Sequence, residues 1–380
     1  MKPFKKFKIT QYDFKLIILV ALLSVIGVFA VGSAQPDLQS KQMMGAIAGF
    51  VFMLALSFID YHFILKFYWL YYVINLILLV LVLLIGVTRN EAQRWLLVGG
   101  IQFQPSELSK ILLILFFAQF IMIQGEKLNS LPVIGLCVIL FGAPAILIIR
   151  EPDLSTTIMI SLIFCVLMYS GKLKFRIIFG ILAFVIPAVA IFLSIALRSD
   201  VHILKDYQKQ RIYAFSDPQA YADDEAYQQL NSVTAIASGM LDGKGYKNNE
   251  ITSVKNGNFL SEDQTDFIFA VIGEEFGFKG SIVVIVLTVL TSIECIAIGR
   301  RAPDSGGAMI AAGVGAMIGF QSFINIGVAT FLLPNTGLPL PFVSNGLSSI
   351  LTCFIGVGVV LNVRTQAKRG NLAAEDLLNT

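Results

Sequence analysis

Residues 257–280 read GNFLSEDQTDFIFAVIGEEFGFKG, and this stretch joins the longest polar segment of the chain to a long apolar run. The polar segment covers residues 198–265, and the apolar run covers residues 267–298. Asp266 stands at the junction. A carboxylate held beside a membrane-embedded segment is costly and therefore usually functional. We take Asp266 as the leading catalytic candidate.

The composition places the whole chain in a membrane. Of 380 residues, 56% are hydrophobic and only 14% are charged, and the mean hydropathy is +0.77. Soluble domains carry about 25% charged residues. The net charge of +3 gives no reason to expect a nucleic-acid partner. All four cysteines lie in apolar segments, so we expect neither a disulfide framework nor a metal cluster.

Ten apolar runs approach the roughly 20 residues that a helix needs to cross about 30 Å of hydrocarbon. We therefore predict an all-α integral membrane protein, a single polytopic domain over residues 1–380. A basic head at 1–12, a large loop at 198–265 between spans seven and eight, and a tail at 364–380 flank the spans. The predicted spans are residues 14–33, 43–60, 68–87, 107–123, 132–149, 154–170, 175–197, 267–298, 308–331 and 343–363.

The distribution of lysine and arginine sets the orientation. Ten spans put both termini on one side, and both termini are basic. The positive-inside rule then makes both termini cytoplasmic and places the loop 198–265 on the opposite side, outside the cytoplasm.

The run 267–298 is too long for one straight span, because it would extend about 48 Å at helical rise. Gly277 and Gly280 mark the predicted break. We expect residues 267–276 to form a short helix that enters the membrane from outside. Glu275 and Lys279 are spaced to pair at i,i+4 and to act structurally.

Residues 94–110 form an outer loop that turns into a helix. Pro105 and Ser106 predict the helix start, with Glu107 near the positive end of its dipole. Glu107 and Lys110 lie on one face at i,i+3. They are either a simple capping pair or an ion pair that lines a polar cavity, and Arg94 adds a cation to the same loop.

Further polar candidates precede later spans. Asp153 is predicted to cap the helix that follows it. Lys205, Lys209 and Arg211 place three cations within seven residues, which either hold a pyrophosphate or belong to a solvated loop helix. Residues 238–246 are glycine-rich but lack the context of a phosphate-binding loop.

Two helix starts close the set of candidates. Thr265 or Asp266 is alternatively a simple cap of the following helix. Ser344 or Asn345 is predicted to cap the last span and to present backbone N–H groups to an anion. All the polar clusters fall on one side of the membrane. This convergence predicts a site at the outer leaflet, acting on something partly lipid and partly polar.

Taken together, six stretches resemble the SEDS family, the RodA/FtsW/SpoVE proteins of bacterial cell elongation, division and sporulation. They occur in the family's order and cover essentially the whole chain except the termini. The stretches are RWLLVGGIQFQPSELSK, EPDLSTT, KDYQKQRI with a following SDP, SGMLDGKGY, TDFIFAVIGEEFG and LLPNTGLPLPFVSNGLSS.

The resemblance implies a peptidoglycan glycosyltransferase of the bacterial cytoplasmic membrane that polymerises lipid II, more RodA-like than FtsW-like. It also implies a class B penicillin-binding protein as the partner that supplies transpeptidation. The family's essential aspartate matches Asp266, and its intramembrane Glu/Lys pair matches Glu107 and Lys110.

On this interpretation Asp266 deprotonates the acceptor hydroxyl, and cations neutralise the lipid diphosphate that leaves. A divalent cation, Mg²⁺ or Mn²⁺, is an optional cofactor, with Asp266 as a possible ligand. The residues predicted to bind substrate are Glu107, Lys110, Lys205, Lys209, Arg211, Arg94, Asp153, Ser344 and Asn345.

The chain departs from the family pattern at several positions. The usual FLPE-x-HTDF reads FLSEDQTDF, with Ser261 and Gln264 replacing Pro and His. The usual QPDLGT begins with Glu151, and the final SxGGSS pattern has Leu347 at its second glycine. The aspartate itself is retained.

Two other functions stay open from the sequence. A lipid II flippase would need polar residues that line a route through the bilayer. The polar residues within spans do not join into such a path: Asp60, Asn75, Glu274, Glu294, Gln321 and Asn325. The other alternative is a non-catalytic scaffold for the penicillin-binding protein.

Overall fold

The computed structural model describes residues 12–89, 92–180, 183, 206–221, 226–247, 260 and 262–378, and helices dominate them. The prediction of a helical membrane protein is confirmed. In chain order the helices are α1 Phe14–Ala34, α2 Pro36–Ser57, α3 Tyr61–Leu65, α4 Tyr68–Ile85, α5 Pro105–Gln124, the 3₁₀ helix Gly125–Asn129, α6 Leu131–Arg150, α7 Leu154–Ser170, α8 Asp206–Ser216, α9 Tyr227–Ser238, α10 Ile268–Arg300, α11 Ser305–Ala329 and α12 Leu347–Leu378.

Eight of the described helices are long and apolar enough to cross a membrane: α1, α2, α4, α5, α6, α10, α11 and α12. Helix α7 is also apolar but has 17 residues. Most of the predicted span 175–197 lies outside the described residues, so the count of ten spans stays a prediction. Of the predicted loop 198–265, residues 206–221, 226–247, 260 and 262–265 are described. Helix α2 begins at Pro36 rather than at residue 43, because Pro36 at its first position and Asp37 in its first turn suit a helix start.

The helices run up and down between two ends of the bundle. We call the end where α6 stops and α7 begins the site end. Helices α5, α11 and α12 form the middle of the bundle. Within the most apolar 18-residue segment of each of these spans, 61%, 72% and 78% of the residues are buried, whereas the corresponding share in α4 is 22%. Polar side chains on these three helices are therefore surrounded by protein.

Helix α10 is broken at Gly277, as predicted. Gly277 has φ 63° and ψ −159°, a backbone conformation that is essentially restricted to glycine. Residues 239–245, which we call the glycine clasp, bind both sides of the break. The N–H of Lys244 donates to the carbonyl of Glu274 at 2.9 Å, and the N–H of Phe278 donates to that of Met240 at 2.8 Å. The clasp thus fixes the two halves of α10.

The break also overturns the predicted pairing of Glu275 with Lys279. The Glu275 carboxylate accepts a hydrogen bond from the hydroxyl of Ser33 on α1, and Lys279 pairs with the exposed Asp242. Residues four apart share a face only in a continuous helix. Gly277 lies between these two and turns them apart.

A small antiparallel sheet replaces most of the loop predicted before α5. Its strands are β1 Val87–Arg89, β2 Ala92–Val98 and β3 Ile101–Phe103, in the order β1-β2-β3. Val98 pairs with Ile101, so Gly99 and Gly100 form a two-residue turn with φ 58° and 81°. Two positive φ values are typical of the tight hairpin turn that matches strand twist. The sheet carries Arg94 to the site end.

Candidate active site

Asp266 lies in the turn that leads into α10, and its side chain is partly buried. Its carboxylate faces Gly337, where an added Cβ would lie 3.3 Å from Oδ2. Among the residues that the structure describes, none donates a hydrogen bond to this carboxylate. The capping interpretation is wrong, because the N-cap of α10 is Phe267 and the Thr265 hydroxyl donates to the Glu262 carboxylate instead.

The backbone around Asp266 is held by what we call the carbonyl clamp. Three consecutive carbonyls, those of residues 264–266, each accept a hydrogen bond from a different donor. The donors are the N–H of Asn345 at 2.9 Å, the hydroxyl of Ser344 at 2.6 Å and the side-chain amide of Asn325 at 2.8 Å. The clamp fixes the main chain that carries Asp266, and no described residue donates to its carboxylate.

Burial raises the pKa of Asp266 to about 7, and the nearby carboxylate of Glu262 adds to this increase. Arg211 and Arg94 oppose it, because their positive charges favour the ionised form. A carboxyl with a pKa near the working pH is well suited to act as a general base. The Asp266 carboxylate is therefore suited to accept a proton near pH 7.

Arg94 on β2 contacts the turn between α6 and α7 at the site end. Its guanidinium donates to the carbonyls of Glu151, at 3.3 Å, and Pro152, and lies 4.0 Å from the carboxylate of Asp153. Asp153 caps α7 as predicted, accepting from the backbone N–H of the first turn at 3.1 Å. Its second oxygen accepts from Ser106 at the start of α5, at 3.2 Å.

Glu151 is a residue whose environment the sequence did not predict. Its side chain is 0% exposed, and neither carboxyl oxygen has a hydrogen-bond partner in the part of the chain that the structure describes. Burial raises its pKa to about 9 and Asp153 adds to the increase, while Arg94 lowers it. The carboxyl is therefore neutral at pH 7. A neutral carboxyl has the shape of the glutamine that the family pattern usually carries at this position. The replacement of that glutamine by Glu151 is the feature of the sequence that points to this environment.

The predicted pair of Glu107 and Lys110 is confirmed, with 2.8 Å between Oε1 and Nζ. The two side chains are only 3% and 1% exposed. Lys110 also donates to the side-chain oxygen of Gln321 on α11 at 2.7 Å. This is a buried ion pair that joins α5 to α11, not a simple surface cap. Its contact with a substrate remains a prediction.

Two of the three loop cations lie on α8. Lys209 is 7% exposed, so this part of the loop is not a solvated helix. Arg211 is partly buried and close enough for its charge to lower the pKa of Asp266. Lys205 lies outside the residues whose side chains the structure describes.

The prediction that Ser344 or Asn345 caps the last span is wrong, while contact of either side chain with a substrate stays a prediction. Helix α12 begins only at Leu347. The Ser344 hydroxyl accepts from the N–H of Leu340 at 2.7 Å while donating to the carbonyl of Thr265. The N–H of Asn345 is likewise occupied in the carbonyl clamp. Neither residue offers these groups to an anion, because both hold the turn that carries Asp266.

A divalent cation finds no preformed set of ligands in the described part of the chain. Those residues include no group of three or more His, Cys, Asp or Glu side chains that could hold a metal ion.

The fold and site define a helical, multi-pass membrane protein whose central carboxylate lies at one end of the bundle. The model of the FtsW/RodA/SpoVE family, described as "Cell cycle protein", matches residues 8–369. The chain belongs to this family.

Two relatives illustrate the match in sequence. The peptidoglycan glycosyltransferase MrdB of Escherichia coli K12 is 35% identical over 297 residues, covering 78% of this chain and 77% of the relative. The probable peptidoglycan glycosyltransferase FtsW of Geobacter sp. strain M18 is 29% identical over 376 residues, covering 95% and 99%.

Solved structures agree with the fold. The crystal structure of the Thermus thermophilus rod shape determining protein RodA superposes with a TM-score of 0.68 at 26% identity, covering 93% of this chain and 96% of RodA. A chain from a structure titled "Structural coordination of polymerization and crosslinking by a peptidoglycan synthase complex" gives a TM-score of 0.77 at 27% identity, covering 94% and 98%.

Proposed function

We propose that this protein is a peptidoglycan glycosyltransferase that polymerises lipid II at the outer face of the bacterial cytoplasmic membrane. The observation that carries the proposal is Asp266, a carboxylate with a pKa of about 7, held by its backbone and free of hydrogen-bond donors among the described residues. Relatives that carry the name peptidoglycan glycosyltransferase support it.

Asp266 acts as the general base. The acceptor sugar hydroxyl gives its proton to the carboxylate while its oxygen attacks the anomeric carbon of the donor. The bond between that carbon and the lipid diphosphate breaks, and its electron pair leaves with the diphosphate. Attack opposite the leaving group inverts the anomeric centre. No general acid is needed, because a diphosphate is already a good leaving group.

Cationic side chains stabilise the charge that develops on the diphosphate. Arg94 and Arg211 are close enough to act on the charge of Asp266, and the sequence adds Lys205 and Lys209 to the same set. Arginine suits this role, because its planar guanidinium binds phosphate oxygens in pairs.

The remaining candidates shape the site. Glu107 and Lys110 fix α5 against α11, and Asp153 fixes α5 against α7. Ser344 and Asn345 act through the carbonyl clamp. We propose that the substrate lies over this framework.

The sorting of basic residues supports cytoplasmic termini and an outer loop 198–265. The site end then faces outward, where the lipid-linked precursor meets the growing wall. The proposed partner is a class B penicillin-binding protein. A structural neighbour that takes part in a complex of polymerisation and crosslinking supports a crosslinking partner.

The experiment is lipid II polymerisation by the purified protein, with and without the cognate transpeptidase. Asp266→Asn is expected to abolish glycan chains, since the amide cannot accept the proton, while the thermal stability stays near that of wild type. Asp37→Asn is the matched control, because Asp37 is an exposed carboxylate in the first turn of α2 at the same end of the bundle.

Full activity of Asp266→Asn would remove Asp266 as the base. Absence of chains from wild type even with the partner would favour the flippase or scaffold. A lipid II translocation assay in liposomes would then separate those two.

A further inference from the structure

Helix α11 carries two buried amides one turn apart, Gln321 and Asn325. They are 0% and 1% exposed. An amide surrounded by apolar protein is costly unless its hydrogen bonds are made. Their partners therefore indicate what they are for.

Asn325 uses both hydrogens of its amide nitrogen. One bond goes to the carbonyl of Asp266 and the other to the carbonyl of Leu338, each at 2.8 Å. Its side-chain oxygen is buried and has no hydrogen-bond partner among the residues described in the structure. The residue is thus used here as a double donor, which a carboxylate of the same shape could not replace.

Gln321 continues the arrangement one turn away. Its side-chain nitrogen donates to the carbonyl of Pro339 at 2.8 Å, and its oxygen accepts from Lys110 at 2.7 Å. The consecutive carbonyls of Leu338 and Pro339 therefore each accept a hydrogen bond from one of the two amides of α11. Gly337, which precedes them, is the residue that faces the carboxylate of Asp266.

These contacts link the two charged parts of the site through one rigid helix. Asp266 is joined to Asn325, Asn325 lies one turn from Gln321, and Gln321 binds Lys110. The wall opposite the carboxylate, at Gly337, is fixed by the same pair of amides. The distance between Asp266 and this wall is consequently set by α11.

We infer that Asn325 is a positioning residue that places the carboxylate of Asp266 for the reaction. The inference rests on the proposed function, in which Asp266 is the base. A role limited to general stability would lower the amount of folded protein but leave the folded enzyme's kcat and pH profile unchanged. A positioning role changes kcat in enzyme that is still folded.

The test compares Asn325→Leu, Asn325→Ser and Ser322→Ala in the lipid II polymerisation assay, on protein that elutes as a folded monodisperse species. Leucine removes both hydrogen bonds, whereas serine keeps one donor. Ser322 is the matched control, because it lies on the same helix, is buried, and its hydroxyl has no hydrogen-bond partner within the described ranges.

Asn325→Leu is expected to lower kcat by about 10- to 100-fold with little change in KM, since a displacement of about 1 Å costs on that order. Asn325→Ser is expected to fall between leucine and wild type, and it keeps the test valid if leucine prevents folding. Ser322→Ala should match wild type. Wild-type kcat and pH profile in both Asn325 variants would overturn the inference.

The Asp266→Asn variant separates this inference from the proposed function. Loss of glycan chains in Asp266→Asn, together with wild-type kcat and pH profile in both Asn325 variants, would overturn the positioning role of Asn325 and leave Asp266 as the base. If Asp266→Asn alone retains full activity, the proposed function fails instead.

Discussion

The pH dependence of polymerisation tests the role of Asp266 in a quantitative way. With a pKa of about 7, about one tenth of the carboxyl is ionised at pH 6 and about nine tenths at pH 8. An aspartate at its ordinary value of 3.8 would be almost fully ionised at both. We therefore expect kcat/KM to rise about tenfold between pH 6 and pH 8, with a midpoint near pH 7.

Two variants should move this midpoint in opposite directions. Glu262→Gln removes the like charge that raises the pKa of Asp266, so the midpoint should fall. Arg94→Gln removes a positive charge that lowers the pKa, so the midpoint should rise. A unit charge about 10 Å away contributes on the order of one pH unit in a protein environment. Asp37→Asn should leave the midpoint unchanged.

The assay is the initial rate of chain formation from fluorescent lipid II at concentrations below KM. Ionic strength is held constant, because salt screens the interactions being measured. A rate that stays flat from pH 5.5 to pH 8, or midpoints that move the same way in Glu262→Gln and Arg94→Gln, would refute the reasoning.

Two further predictions concern stability. Lys110→Met leaves Glu107 buried without its lysine partner and is expected to lower the free energy of unfolding by about 3–5 kcal/mol, whereas adding Glu107→Leu should recover most of this loss. A melting temperature of Lys110→Met in detergent equal to that of wild type would contradict the buried pair. Gly277→Ala should destabilise the protein strongly, because the added Cβ would lie 2.5 Å from the backbone nitrogen of Gly243 in the glycine clasp. Gly100 also has a positive φ but faces open space, so Gly100→Ala should cost only about 1 kcal/mol. Equal melting temperatures for these two variants would argue against the clasp.

Local features of the chain were predictable from the sequence. The break at Gly277 followed from a run too long for one span, and the pair of Glu107 and Lys110 followed from helical spacing. The cap by Asp153 was equally local. The ion pair and the cap depend on residues within about one turn, where spacing determines geometry, and the break depends on the length of one continuous segment.

The hairpin before α5 was missed although its signal was present. Gly99 and Gly100 separate two short apolar runs, and two glycines between such runs are typical of a tight hairpin turn. The surrounding composition favours helices throughout, and this obscures the signal of a hairpin within the predicted loop.

Long-range contacts were beyond the sequence. Glu275 and Lys279 have the spacing of a pair, yet each found a partner elsewhere once the helix was broken. Gln321 and Asn325 looked like scattered polar residues of a membrane span. Helix α10 separates Asn325 from Asp266 in the chain, and several elements separate Gln321 from Lys110, so no local pattern could assign these partners.

The carbonyl clamp has a consequence for how this site can change during evolution. It holds residues 264–266 by their main-chain oxygens, which every amino acid supplies. The side chain at position 264 can therefore be the histidine of the usual family pattern or the Gln264 of this chain without a change in the position of the base. Asn345 also contributes through its N–H, and its position is the variable one in the SxGGSS pattern. The geometry around the base therefore depends on the polypeptide backbone and on two side-chain donors, Ser344 and Asn325.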